Sequence, residues 1–123
     1  MEQFEAQFKQ VDVFPMVKHY MDELDLFKLF TKYVPAAAGS LADHAESLCI
    51  LTANIICDNK PLYKVQEWLS KYSDGFGGES IVASLFNDDR LARSLSALFH
   101  ADRHSLMTEL SGKAIAVHKL LTN

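Results

Sequence analysis

The chain has 123 residues, 49% of them hydrophobic and 23% charged, with a formal net charge of −4. That is enough for one domain with a sizeable core, and too acidic for a polycation that coats nucleic acid. Residues 1–58 carry nine acidic and four basic side chains and residues 59–123 carry seven and eight, so any contact with a polyanion belongs to the second half. There is no secretory leader and no apolar run near ~18 residues, so the expectation is a cytoplasmic protein with no membrane partner.

Residues 1–10 form a lead-in segment with Phe4 and Phe8 at i,i+4, and residues 11–123 read as a single helical domain. From Phe14 the pattern is helical. Pro15 suits a first turn, and Val17, Tyr20, Met21 and Leu24 form an apolar stripe. Asp25 is the expected cap of a second helix from Leu26 to Val34, with Leu26, Phe27, Leu29 and Phe30 inside, and Pro35 ends it. After the small-residue loop Ala36–Ser40 comes a long helix over Leu41–Cys57, with Leu41, Ala45, Leu48, Leu51, Thr52, Ile55 and Ile56 as its apolar face. Apolar nearly all round towards its end, it is the expected central buried helix. Cys49 and Cys57 share that helix, about 12 Å apart, too far for a disulfide.

Pro61 opens the next helix, which ends near Tyr72 with Leu62, Val65, Trp68, Leu69 and Tyr72 inward. Ser73–Ser80 is a loop with three glycines. It lacks the G-x-G-x-x-G and Gly-Lys-Ser/Thr patterns of a phosphate cradle. Residues 81–86 are a short apolar link. Asn87 then caps a helix over Asp88–His100, with Asp88 and Asp89 on the first turn, where the helix dipole favours acids. Leu91, Leu95, Leu98 and Phe99 are its expected buried stripe, and Arg90, Arg93, Ser94 and Ala97 its free, cationic side. Ala101-Asp102 breaks the chain, Asp102 caps a last helix over Arg103–Leu121, and Leu106, Leu110, Val117 and Leu121 face inward beside Met107 and Ala114. No stretch alternates like a strand. The expected fold is all-α, a compact bundle of about five to six helices whose last two form a helix-turn-helix-like hairpin, although the usual turn glycine is missing.

A catalytic centre is hard to assemble from these residues. Asp88 and Asp89 are adjacent and point about 100° apart on a helix, so capping explains them better than metal binding. His100 and His104 have i,i+4 spacing, but the break lies between them and no third ligand is near. The expectation is no enzyme, no cofactor, no metal site and no small-molecule substrate in this chain. Binding is the better reading. Arg90, Arg93, Arg103, His104, Lys113 and Lys64 are the candidate DNA contacts, and spacing alone leaves open whether they grip phosphates or are merely solvated. Trp68 and Tyr63 read as core and rim rather than as stacking platforms.

Two segments, Lys60-Pro61-Leu62-Tyr63-Lys64-Val65-Gln66-Glu67-Trp68 and Leu85–Phe99 with its Asn87-Asp88-Asp89-Arg90-Leu91-Ala92-Arg93, resemble the N-terminal domain of a group of bacterial DDE-type insertion-sequence transposases. There a P-L-Y-x-x-x-x-W segment is followed by N-D-D-R-L-G-R-x-L-x-x-L and then an A-D pair, matched here by Ala101-Asp102. Ala92 stands where the family often has glycine. The resemblance spans roughly Val11 to Leu121. It implies a non-catalytic domain that assists binding of element-end DNA and transposase assembly in DNA transposition. The partners it implies are DNA, the transposase's catalytic domain and a possible second copy. The RNase H-like catalytic domain, with its acidic triad and a divalent metal such as Mg, would lie beyond the last helix. The alternative is a protein-interaction or dimerisation module that does not contact DNA, using Phe4, Phe8 and Phe76.

Overall fold

The structure is a computed structural model that describes residues 14–35, 44–71 and 85–122, with side chains as far as Lys119. The expectations for Phe4, Phe8, Leu41, Tyr72, Phe76, the Ala36–Ser40 and Ser73–Ser80 loops and the first part of the 81–86 link lie outside these residues, as does the side chain of Leu121. Within them the chain is all-α, and no strand occurs among the described residues. The elements are α1 (14–23), α2 (Leu26–Tyr33), α3 (His44–Cys57), a 3₁₀ turn (Leu62–Lys64) leading into α4 (Val65–Ser70), α5 (Asp88–His100) and α6 (Arg103–Thr122).

Helix α3 is the centre, as its apolar circumference requires. It packs against α2, α4 and α5, and from Ala45 to Asn54 it buries residues on nearly every side, including Ser47 and Asn54. Its end departs from expectation. Ile55 and Ile56 are exposed, and Ile56 lies at a hollow that its neighbours leave open. Asn54 closes that end. Its amide donates to the Lys60 carbonyl at 3.0 Å, its Oδ1 accepts from the Lys60 N–H at 3.3 Å, and Asn59 sits at φ 51°, a left-handed position that asparagine tolerates.

Around this centre α1 contributes Phe14, Val17 and Met21 to the core, and the Phe14 ring meets Trp68 of α4 edge-on at 6.2 Å. Tyr20 and Phe27, expected inside, are exposed. In each helix the inward face is held by the other apolar residues: Val17 and Met21 in α1, Leu26, Leu29 and Phe30 in α2. Asp25 precedes α2 as expected, but its carboxylate does not cap the helix. It stands at the N-cap position with a left-handed backbone at φ 52°, but its side chain makes no cap hydrogen bond and its carboxylate accepts from Lys113 Nζ at 2.8 Å. Val65, Trp68 and Leu69 of α4 are buried as expected, Tyr63 is exposed, and Cys49 and Cys57 are free thiols on α3. Burial, with the Asp58 carboxylate adding to it, pushes the Cys57 thiol up.

Helix α6 is attached differently. Of its described side chains only Leu106 is buried, while Leu110 and Val117 are half-covered and Met107 and Ala114, expected inward, face solvent. It packs mainly on α2 and more sparingly on α5. Polar contacts hold it there: Glu109 accepts from Lys32 Nζ and from the Tyr33 hydroxyl at 2.5 Å, and Lys113 reaches Asp25. Hydrogen bonds from Lys32 and Tyr33 hold the Glu109 carboxyl below the usual range, and the Lys113 hydrogen bond does the same for Asp25. Folded-state values below the unfolded ones mean that this attachment contributes stability above the ordinary carboxylate range and loses it as pH falls through the folded values. Glu109→Gln should therefore melt below wild type at about pH 7, and the gap should narrow as pH falls below the ordinary carboxylate range, as read by thermal circular dichroism.

Candidate nucleic-acid interface

The best-defined local structure in the second half is the start of α5. Asn87 Oδ1 accepts from the Arg90 N–H at 2.9 Å, Asp88 Oδ1 accepts from the Asp89 N–H at 3.0 Å, and Asp89 pairs with Arg93 at 3.2 Å. Phe86, just before the cap, and Leu91, four residues after it, are both buried in the core, which fixes how the chain enters the helix. These contacts give both aspartates roles at a helix terminus. Among the described residues no three His, Cys, Asp or Glu side chains converge on a possible metal position.

The face that α5 turns inward differs from the expected stripe. Leu91 is 0% exposed and Leu98 is half-buried, but Leu95 is 42% and Phe99 63% exposed, while Ser94, expected outward, is 1% exposed. The helix is rotated towards Ser94 because its Oγ lies 2.8 Å from His44 Nδ1 at the start of α3. That hydrogen bond satisfies a hydroxyl that would otherwise be stranded in the core. At that burial Ser94 cannot meet a substrate, so this Ser–His pair is a tie between α3 and α5. Ala97, also expected outward, is half-buried.

The rotation separates the candidate cations. Arg93 points outward from α5, exposed and paired only loosely with exposed Asp89. Arg90 is half-buried, and its Nη1 donates to the Leu85 carbonyl at 3.3 Å, so its guanidinium folds back onto its own chain. Arg103, at the start of α6, is exposed and lies over the Phe99 ring, 4.7 Å from its centroid, and exposed His104 follows it. Lys64 is exposed on the 3₁₀ turn that packs against α5. Lys113 faces α2, where it holds Asp25, so it does not join the others. Arg93, Arg103 and His104 are thus exposed on α5 and the first turn of α6, with Lys64 on the adjoining turn and Lys113 on a different side.

The break between α5 and α6 is as the sequence indicates. Ala101 is extended, and Asp102 Oδ1 accepts from the Ser105 N–H at 3.1 Å; hydrogen bonds from the Ser105 hydroxyl and from this N–H keep its carboxyl below the usual range. His100 and His104 lie on opposite sides of this break, on different helices.

A second feature had no local signal in the sequence. Met16, Tyr20, Leu24, Leu26, Phe30, Ile56 and Leu110, from α1, α2, α3 and α6, line an apolar hollow of about 400 Å³. Each residue lies in an ordinary helical pattern, and only the packing of four helices brings them together.

The fold and these surfaces define an all-α module with a cationic helix corner and an apolar hollow. The chain belongs to the family described as "Domain of unknown function (DUF4277)", which matches residues 6–112. No curated protein and no solved structure matches it.

Proposed function

We propose that this chain is the non-catalytic N-terminal domain of a bacterial DDE-type transposase and that it assists binding of element-end DNA. The observation that carries the reading is the placement of Arg93 and Arg103 on exposed surface of α5 and α6, in the basic half of an otherwise acidic chain. It is supported by the order of the Pro61-Leu62-Tyr63…Trp68 and Asn87-Asp88-Asp89-Arg90 segments, which is the order in those transposases. In this reading α5 and α6 act as a helix-turn-helix-like pair, Arg93 and Arg103 contact phosphates, and His104 and Lys64 lie at the margin. Catalysis, with its acidic triad and divalent metal, belongs to a separate domain of the parent protein, with which this one assembles in the cytoplasm.

The test is binding to a duplex that carries the element's terminal inverted repeat. Wild type should bind with an affinity that falls steeply with salt. Arg93→Ala/Arg103→Ala should weaken binding and reduce the slope of log affinity against log salt by about 2, one phosphate contact for each arginine removed. An unchanged isotherm in the double variant would show that these arginines are solvated charge.

The apolar hollow favours a second reading, a protein-interaction module that docks a partner helix or a second copy without touching DNA. Met16 and Ile56 at its rim are exposed apolar side chains of the kind that such contacts bury. A chain that dimerises in light scattering and has no DNA affinity at low salt would belong to this class.

A further inference from the structure

We propose that the corner between α5 and α6 is a stacking site for an unpaired nucleobase, with Phe99 as its platform. The inference rests on the DNA-binding reading and specifies which form of DNA that corner takes. Hydrophobic spacing assigns Phe99 to the core, yet 63% of it is exposed. The ring is nevertheless held in place. The Arg103 guanidinium lies over it at 4.7 Å, and the His100 ring meets it edge-on at 5.3 Å and 88°. A large aromatic side chain left in water and braced by two nitrogen-rich groups departs from the local hydrophobic pattern, and such departures concentrate at functional positions.

Its surroundings suit a nucleotide strand. Leu95 stands one turn before Phe99 on the same face of α5 and is exposed, so the platform has an apolar flank. His100 and Arg103 form the polar margin, and exposed His104 follows Arg103 on the first turn of α6. Asp102, the acid at this corner, is engaged as the cap of α6. An apolar centre with a cationic margin matches the π-face and phosphate of one nucleotide, and aromatic rings beside arginines are the usual means of holding unpaired strands. In an intact duplex the base faces are stacked on each other, so the platform finds a partner only where a base is unpaired, as at a frayed or nicked end.

The test compares fluorescein-labelled DNA of one sequence as a single strand, as a blunt duplex and as a duplex with a single-stranded overhang, by anisotropy with the full chain at low salt. Wild type should bind the single strand and the overhang several-fold more tightly than the blunt duplex. Phe99→Ala should weaken binding to the single strand roughly tenfold and leave the blunt duplex unchanged, while Phe99→Trp keeps the preference. Phe99→Leu, which retains apolar bulk without a π-face, should behave like the alanine variant, so a folding defect in Phe99→Ala would not obscure the result. Equal affinity for blunt and unpaired DNA, or an undiminished preference in Phe99→Leu, would overturn the stacking site and leave duplex binding intact. Absence of binding to every probe would overturn both readings.

Discussion

Leu91→Ala is expected to destabilise the domain by about 2–5 kcal/mol, whereas Leu95→Ala, the same change one turn later, should cost under about 1 kcal/mol. Leu91 is fully enclosed where α5 meets α3, beside Phe86, so truncation removes the transfer free energy of a whole side chain and leaves a cavity that rigid helices only partly close. Leu95 is 42% exposed, and its removal opens onto water. Urea denaturation of the two variants measures the rotation of α5 directly. Equal and large losses would put Leu95 in the core and turn Ser94 outward. Ser94→Ala offers no such discrimination, since it removes a hydroxyl together with its buried hydrogen bond.

Asn54→Ala is the second large expected effect, about 1–3 kcal/mol, through polar rather than apolar loss. Asn54 is buried in the last turns of α3, and its amide serves both the N–H and the C=O of Lys60. It therefore holds the turn that delivers the chain from α3 into Pro61 and α4. Alanine leaves those two backbone groups without their side-chain partner and loosens the entry to a helix that supplies Val65, Trp68 and Leu69 to the core. Asn54→Asp should be no milder than alanine, because the carboxylate accepts from the Lys60 N–H but cannot donate to its carbonyl. Denaturation midpoints, with near-ultraviolet circular dichroism reporting on Trp68, give both the magnitude and the place of the effect.

Much of the fold was legible because its signals are local. Asn87, Asp88 and Asp89 mark the start of α5, Ala101-Asp102 marks its end, and caps act within one turn, so both limits follow from the residues alone. The central place of α3 also follows, since a helix apolar on every side has to be covered on every side. What a sequence cannot supply is the choice between adjacent stripes on one helix. Leu91–Leu95–Leu98 and Leu91–Ser94–Leu98 are both helical repeats, and the second is selected by His44, 50 residues away. Asp25 is a cap by residue type, but its carboxylate is taken by Lys113, 88 residues away, and its backbone by a left-handed turn. The candidate interface divides in the same manner. Arg93 and Arg103 were legible as exposed helical cations, whereas the retreat of Arg90, the inward direction of Lys113 and the exposure of Phe99 all depend on how α5 and α6 settle on the rest.

That settling also relates the two surfaces. Helix α6 carries Arg103 at its start and Leu110 on the wall of the apolar hollow, and it is held to α2 chiefly by the Lys32–Glu109–Tyr33 and Asp25–Lys113 contacts.

The measurement that decides between those surfaces is a backbone amide NMR titration of the full chain with the terminal inverted-repeat duplex. The DNA-binding account predicts shifts concentrated at Arg93, Ser96 and His100–His104, diminished in Arg93→Ala/Arg103→Ala. Shifts confined to Met16, Tyr20, Ile56 and Leu110, or no shifts at low salt, would contradict it.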